Sequence, residues 1–325
     1  MKTCNLFTAA ALIALATPAA AQAQDCDRDC LIGLADDYVA ALVAHDPSAV
    51  PLSGNVTMVE NIQTIAPGDG LWNSLARGPD GSFTIHVADP VSEQVGIMTM
   101  VTDSDNEPAL IGIRLKWEDG AITEAEHMVT RDLSPVALGN LQVLRPAIMQ
   151  EVPEAYADSR SRMIWLGKSY YDALDNNNSR HSAMADDCER RENGFQTARN
   201  PMVRPTPEGP SNGQRDPIFA YLGGLGCAAQ MDTNMWEYIT SIDNRRVEIA
   251  DPVTGLVWGV SHFRHAFDKK DFDLVGVPWA DSRHLDFQPF DMPAIHIYKI
   301  WGGQIHEIEA MGFTTAYRAP LVFAD

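Results

Sequence analysis

The chain has 325 residues, 45% hydrophobic and 21% charged, with a mean hydropathy of -0.16, an ordinary globular composition that disfavours disorder and membrane spanning. Lys and Arg number 24 against 44 Asp and Glu, a formal charge of -20. So acidic a surface repels phosphate backbones and anionic membranes, which leaves a neutral small molecule as the best-fitting partner.

Met1-Lys2 precedes an apolar run, Leu6 to Ala16, that is too short to cross a bilayer. Ala21-Gln22-Ala23 then gives a small-x-small cleavage pattern, so residues 1–23 read as a secretory signal and the product as periplasmic or secreted. Cys4 leaves with that signal, and Cys26, Cys30, Cys188 and Cys227 remain. Four cysteines allow three pairings, and an exported compartment favours disulfides over thiols. The expected pairs are Cys188–Cys227, anchoring a long insertion, and Cys26–Cys30 as a local clip; buried free thiols are the alternative.

Self-similarity is the most informative pattern in the chain. Leu34 to Leu42 recurs as Leu166 to Leu174 at an offset of 132, and Glu60-Asn61 recurs as Glu192-Asn193 at the same offset. Ala88-Asp89-Pro90-Val91 matches Ala250-Asp251-Pro252-Val253 at offset 162. Lys116, Gly120, Ile122, Glu124 and Glu126 match Lys299, Gly303, Ile305, Glu307 and Glu309 at offset 183. The order is kept and the offset only grows, so the second copy is the first plus about fifty inserted residues. The expected units are 24–150 and 151–325, with the insertion at about 198–230.

Each copy opens with helical spacing, over 27–44 and 159–174, broken by His45-Asp46-Pro47 and Asp175-Asn176-Asn177-Asn178. Short alternating segments follow: Phe83 to Val87, Val95 to Val101, Leu110 to Lys116 and Ile122 to Val129. The second set is Arg246 to Ala250, Gly255 to Phe263, Ile295 to Trp301 and Ile305 to Met311. Helix first and antiparallel strands after reads as α+β. The Pro-, Gly-, Asn- and Arg-rich stretch from Ala198 to Leu225 reads as a surface excursion.

The leading helix with its tyrosine, the run Asp186 to Gly194, the block Arg245 to Pro252 and the closing Ile305 to Ala310 together resemble the NTF2-like superfamily, which includes ketosteroid isomerase and the SnoaL-like cyclases. The whole mature chain is similar to secreted fungal and bacterial proteins built from two such units. The resemblance implies two cones, each a curved antiparallel sheet wrapped by helices around an apolar pocket.

No Gly-x-Ser-x-Gly, His-Glu-x-x-His, P-loop or Rossmann glycine run occurs, which disfavours a serine hydrolase or a dinucleotide enzyme. The repeat supplies a sharper comparison. Arg190 aligns with Met58, His262 with Met100, Arg264 with Thr102 and His306 with Thr123, so the second copy carries the charge and the first is the apolar, structural one. Buried charge costs several kcal/mol unless paired, which points to a site in the second copy.

Arg190 and Glu192, two apart, share one face of a strand, and a carboxylate beside a guanidinium suits a general base. Asn193 adjoins them, although Glu60-Asn61 repeats the pair and a shared structural role competes. His262 and His265 form His-x-x-His, yet positions three apart on a strand face opposite sides, so one pocket imidazole is favoured over a metal. His265 ends its strand as a similar Phe-x-His does in the resembling family, and that resemblance favours it over His262. Tyr170 stands about where ketosteroid isomerase, in the resembling superfamily, places its oxyanion-hole tyrosine; Tyr38 repeats it, so a core role competes. Arg264 and Arg246 are candidates to hold a polar group, and Trp258 and Tyr298 to supply aromatic walls.

The expected activity is cofactor-free acid–base chemistry on a neutral, partly aromatic molecule: elimination, isomerisation or ether cleavage. Some secreted members of the resembling family are similar to glutathione-independent β-etherases acting on lignin-like aryl ethers. No metal or cofactor is expected, a non-catalytic binding protein is the rival, and a homodimer through the sheet faces stays open.

Overall fold

The computed structural model describes residues 26–201 and 217–324. Residues 1–23, expected from the sequence to be a secretory signal, and the middle of the polar insertion lie outside them. The first unit opens with α1 (Arg28–Val43), capped by the Asp27 carboxylate, which accepts from the Cys30 N–H. Its sheet comprises β1 (Leu52–Glu60), β2 (Gln63–Ile65), β3 (Leu75–Arg77), β4 (Thr84–Asp89), β5 (Gln94–Asp103), β6 (Pro108–Glu118) and β7 (Ala121–Thr130), with a short α2 (Leu71–Ser74) before β3. The strand order is β2-β1-β7-β6-β5-β3, with β4 also on β5, and only β1 and β7 run parallel.

After α3 (Pro135–Asn140) the pattern restarts at α4 (Arg160–Asp175), capped by Ser159. The second unit contains β8 (Met184–Glu192), β9 (Phe195–Ala198), α5 (Pro217–Gly224), α6 (Cys227–Met231), β10 (Ser241–Asp251), β11 (Leu256–His265), the hairpin β12 (Asp271–Asp273) and β13 (Ser282–His284), β14 (Phe290–Trp301), β15 (Gln304–Gly312) and β16 (Thr315–Ala316). Its order is β10-β11-β14-β15-β8-β9, with β8 and β15 parallel. The chain is therefore α+β, two units in tandem, each a largely antiparallel sheet with the same strand order and a leading helix packed on it.

Registers repeat as well as order. Glu60 lies opposite His127 in the first parallel pair, and Glu192 lies opposite Ala310 in the second. Just beyond each strand an asparagine with positive φ folds back on the partner strand. Asn61 exchanges two hydrogen bonds with the backbone of Val129, and Asn193 does the same with Gly312. Asparagine tolerates this left-handed backbone and supplies both the donor and the acceptor, which accounts for its recurrence.

Both faces of each sheet are buried. One face of the first packs on α1 through Val95, Ile97, Ile111, Ile113 and Val129, and one face of the second packs on α4 through Val257, Ala294, Tyr298 and Ile305. The remaining two faces meet each other, with Met98, Met100, Leu110 and Met128 against Trp258, Val260, Ile295 and Ile297. The sheet faces that a homodimer would use are thus paired within one chain. At their centre the Trp258 ring lies on Gly96, where a Cβ would enter the ring's van der Waals surface; overpacking of this kind costs about 1–3 kcal/mol.

Two ion pairs flank this contact and are related by the repeat. Arg28, at the start of α1, holds Asp251 of the second unit at 2.9 Å. Arg160, at the start of α4, holds Asp89 of the first at 2.7 Å. The contact is isologous, as in a twofold dimer.

The insertion departs from its sequence reading. Its described end, expected as a surface excursion, forms α5 and α6 and buries Ala220, Leu222, Cys227 and Gln230. Leu222 joins Met235, Phe272, Leu274 and Val277 in a small core of its own. Apolar residues in Ile218 to Leu225, hidden among polar neighbours, drive that packing. Disulfides join Cys188 to Cys227 and Cys26 to Cys30.

Candidate active site

The cone of the second unit opens into a cavity of about 360 Å³. Phe195, Phe219, Trp236, Tyr238, Phe263 and Phe290 form much of its wall, and Tyr170, Glu192, Asn193, His265 and His296 bring polar atoms to it. The corresponding region of the first unit is filled. There Leu71, Trp72 and Leu75 pack against Val101, Ala109, Ile111 and Val129, and Trp72 is fully buried.

Strand β8 builds the polar end. Cys188, Arg190 and Glu192 alternate onto one face, as period-two geometry requires. The Arg190 side chain is 1% exposed and that of Glu192 42%, so only the carboxylate is open to a ligand. Arg190 Nε lies 2.8 Å from Glu192 Oε1 and donates to Thr197 Oγ1 at 2.9 Å. Its other nitrogens donate to the Tyr170 hydroxyl at 3.2 Å and to Gln230 Oε1 at 2.6 Å, and the guanidinium lies over the Trp236 ring. A buried charge needs this full set of partners.

Burial pushes the Tyr170 phenol above its usual range, and the Arg190 charge pulls it back only in part. The hydroxyl therefore stays protonated. Because its oxygen accepts from Arg190, its own proton is polarised and free to be given to a ligand.

Two imidazoles also reach the cavity. His265 stacks on Phe290 with centroids 4.3 Å apart, and burial brings its pKa down to about 4, partly countered by Asp291. His296 sits deeper, near Tyr170 and Tyr171, and burial first, then Arg190, lowers it to about 3. Both are neutral at neutral pH.

Not every residue singled out in the sequence reaches this cavity. Trp258, His262 and Arg264 occupy alternate positions of β11 that face away from it. Trp258 packs against the first unit, and His262 lies 3.2 Å from Asp291. Arg264 is tied to Asp243 and Asp291. Arg246 crosses to the first unit and donates to Glu126 at 2.6 Å. Tyr298 lies behind the wall, stacked with His296 and packed among Tyr170 and Tyr171. His262 and His265 point to opposite faces of one strand and do not converge.

The first unit is less apolar than its sequence implied. His127 bridges the Tyr38 hydroxyl at 2.9 Å and Glu60 at 3.3 Å inside its core. Each unit thus links a helix tyrosine to the last glutamate of its first strand, through His127 on β7 in one and Arg190 on β8 in the other. Glu60 also accepts from the Leu71 N–H at 2.8 Å, which fastens the helix that fills the first cone.

Sequence reading missed His296, Tyr238 and Gln230. His296 is framed by Ile295 and Ile297 and reads as core, while Gln230 belongs to the insertion and has no counterpart in the first unit.

A family described as a domain of unknown function (DUF8021) matches residues 156–312, which span the unit that holds the cavity. Among solved structures, a putative polyketide cyclase from Xanthomonas campestris pv. campestris is similar at 16% identity, over 47% of this chain and 90% of that one, with a TM-score of 0.26. A putative SnoaL-like polyketide cyclase from Jannaschia sp. is 17% identical over 59% and 100%, with a TM-score of 0.25. A hexachlorocyclohexane dehydrochlorinase from Novosphingobium barchaimii is 14% identical over 51% and 91%, with a TM-score of 0.24. No curated protein matches the chain.

Proposed function

We propose that the second unit is a cofactor-independent enzyme acting by acid–base chemistry on a neutral, partly aromatic molecule, with cleavage of a lignin-like aryl ether as the favoured reaction. One observation carries this reading: a carboxylate clamped by a buried arginine and a phenol hydroxyl polarised by the same arginine both reach an aromatic-walled cavity. The negative Glu192 disfavours anionic ligands, and the aromatic walls suit flat rings.

In an eliminative cleavage, Glu192 takes the proton from the carbon beside the ether-bearing carbon. That electron pair forms the new double bond as the C–O bond breaks. Tyr170 donates a hydrogen bond to the departing aryl oxide, which leaves as the phenol once it receives the proton held by Glu192. The products are an alkene and a phenol, and no electron acceptor is consumed. His265, neutral and stacked at the wall, orients the ring. Arg190 touches no ligand and acts through Glu192 and Tyr170.

Incubation with a panel of β-aryl-ether model dimers should release phenol at a rate proportional to protein. Saturable binding of the dimers, seen as quenching of tryptophan fluorescence, with no phenol released from any of them would make the protein a carrier instead.

The second part of the reading is export, supported by the Ala21-Gln22-Ala23 pattern and the two disulfides. Among the described residues, no helix is long and apolar enough to cross a membrane. Intact-mass analysis of protein from a secreting host should give a chain beginning at Gln24; a retained Met1 would overturn export.

A further inference from the structure

We propose that Gln230, a residue of the segment found only in the second unit, is a positioning residue that sets where Arg190 holds the Glu192 carboxylate and the Tyr170 hydroxyl; the proposal rests on the reading of that cavity as an active site.

Gln230 is 2% exposed and spends its whole amide on fixed partners. Its oxygen accepts from Arg190 at 2.6 Å. Its nitrogen donates to the carbonyls of Thr197 and Leu222, each at 2.6 Å. Those two carbonyls fix the orientation of the amide, because a flipped amide would set oxygen against oxygen and NH2 against guanidinium. Arg190 therefore meets an acceptor that cannot turn away.

The frame around this contact is stiff. Gln230 lies three residues after Cys227 on α6, and Cys188 lies two residues before Arg190 on β8, so the disulfide fastens the two elements beside the contact. Thr197 closes the loop, since its hydroxyl accepts from Arg190 and its carbonyl accepts from Gln230. Trp236 lies against the guanidinium face. In the first unit Met58 stands in place of Arg190, and the corresponding glutamate is held by His127 and Leu71. The insertion thus brings a clamp that the first unit, with Met58 in place of Arg190, does not have.

Gln230→Glu puts a second carboxylate on Arg190, in competition with Glu192 and repelling it. Gln230→Met keeps the volume and removes the acceptor. Both are tested in the full, disulfide-intact chain, without substrate, by following the Glu192 side-chain carboxyl with ¹³C NMR, assigned through Glu192→Gln. The Arg190 Nε–H resonance, assigned through Arg190→Lys, is read alongside. Gln230→Glu should raise the Glu192 titration midpoint by about one pH unit, and Gln230→Met should shift the Arg190 resonance. Unchanged signals in a folded variant would overturn the proposal, and if Gln230→Glu does not fold, Gln230→Met decides alone. The titration is read on the free protein, so it stands whether or not any ether is cleaved. If phenol release is found, Gln230→Met should lower kcat by about tenfold with KM little changed, the loss expected for one hydrogen bond to a charged group.

Discussion

Glu192→Gln is expected to lower kcat for phenol release by at least about 100-fold, the scale of a lost general base and about 2.7 kcal/mol of barrier. Amide and carboxylate have nearly the same shape, so the cavity and the Arg190 contact largely survive while the proton acceptor is gone. Glu60→Gln, at the matching place in the first unit, gives a different result. Glu60 accepts from Leu71 N–H and meets His127, which is buried in the first unit. Its replacement should lower stability by about 1–2 kcal/mol and leave turnover within about threefold. Kinetics and urea unfolding of the two variants check this. Equal losses of activity that follow equal losses of stability would make Glu192 architectural, and His265 would become the residue to test.

The second large effect is on stability in acid. His265 and His296 titrate near 6.5 when unfolded, but burial holds them at about 4 and about 3 in the fold. The folded values are depressed, so below pH 6.5 the unfolded chain binds protons that the folded chain does not. Stability is unaffected by these groups above pH 6.5 and falls as pH drops, by about 1.4 kcal/mol per unit for each histidine. Between pH 6.5 and 4 the two together should remove roughly 5–7 kcal/mol. Urea unfolding at pH 7, 6, 5 and 4 measures this fall, and His296→Phe should reduce its slope by about half. A wild-type slope that the His296 and His265 substitutions leave unchanged would show that other groups dominate acid unfolding.

The repeat was legible because it is written in residues with backbone duties: Asn61 and Asn193 clasp the partner strand, and Asp89 and Asp251 carry the ion pairs between units. The pairing of Arg190 with Glu192 was legible for a similar reason, since strand geometry places residues two apart on one side. What sequence did not reveal was which side of β11 faces the cavity. A strand with one wet face announces it by alternation, but β11 is buried on both, by cavity and helix on one side and the other unit on the other. His262 and His265 look alike under those conditions, and Trp258 reads as well for a ligand wall as for a domain contact. Gln230 was hidden differently, because its role depends on a long insertion returning to β8.

The reciprocal ion pairs Arg28–Asp251 and Arg160–Asp89 describe two partners that cannot diffuse apart. A short tether gives such partners an effective concentration on the order of millimolar, so their contact need not be tight enough to assemble from dilute solution. Tethering also removes the obligation of symmetry. A substitution in a homodimer occurs twice, but here it occurs once, so one cone can close on Trp72 while its twin stays hollow.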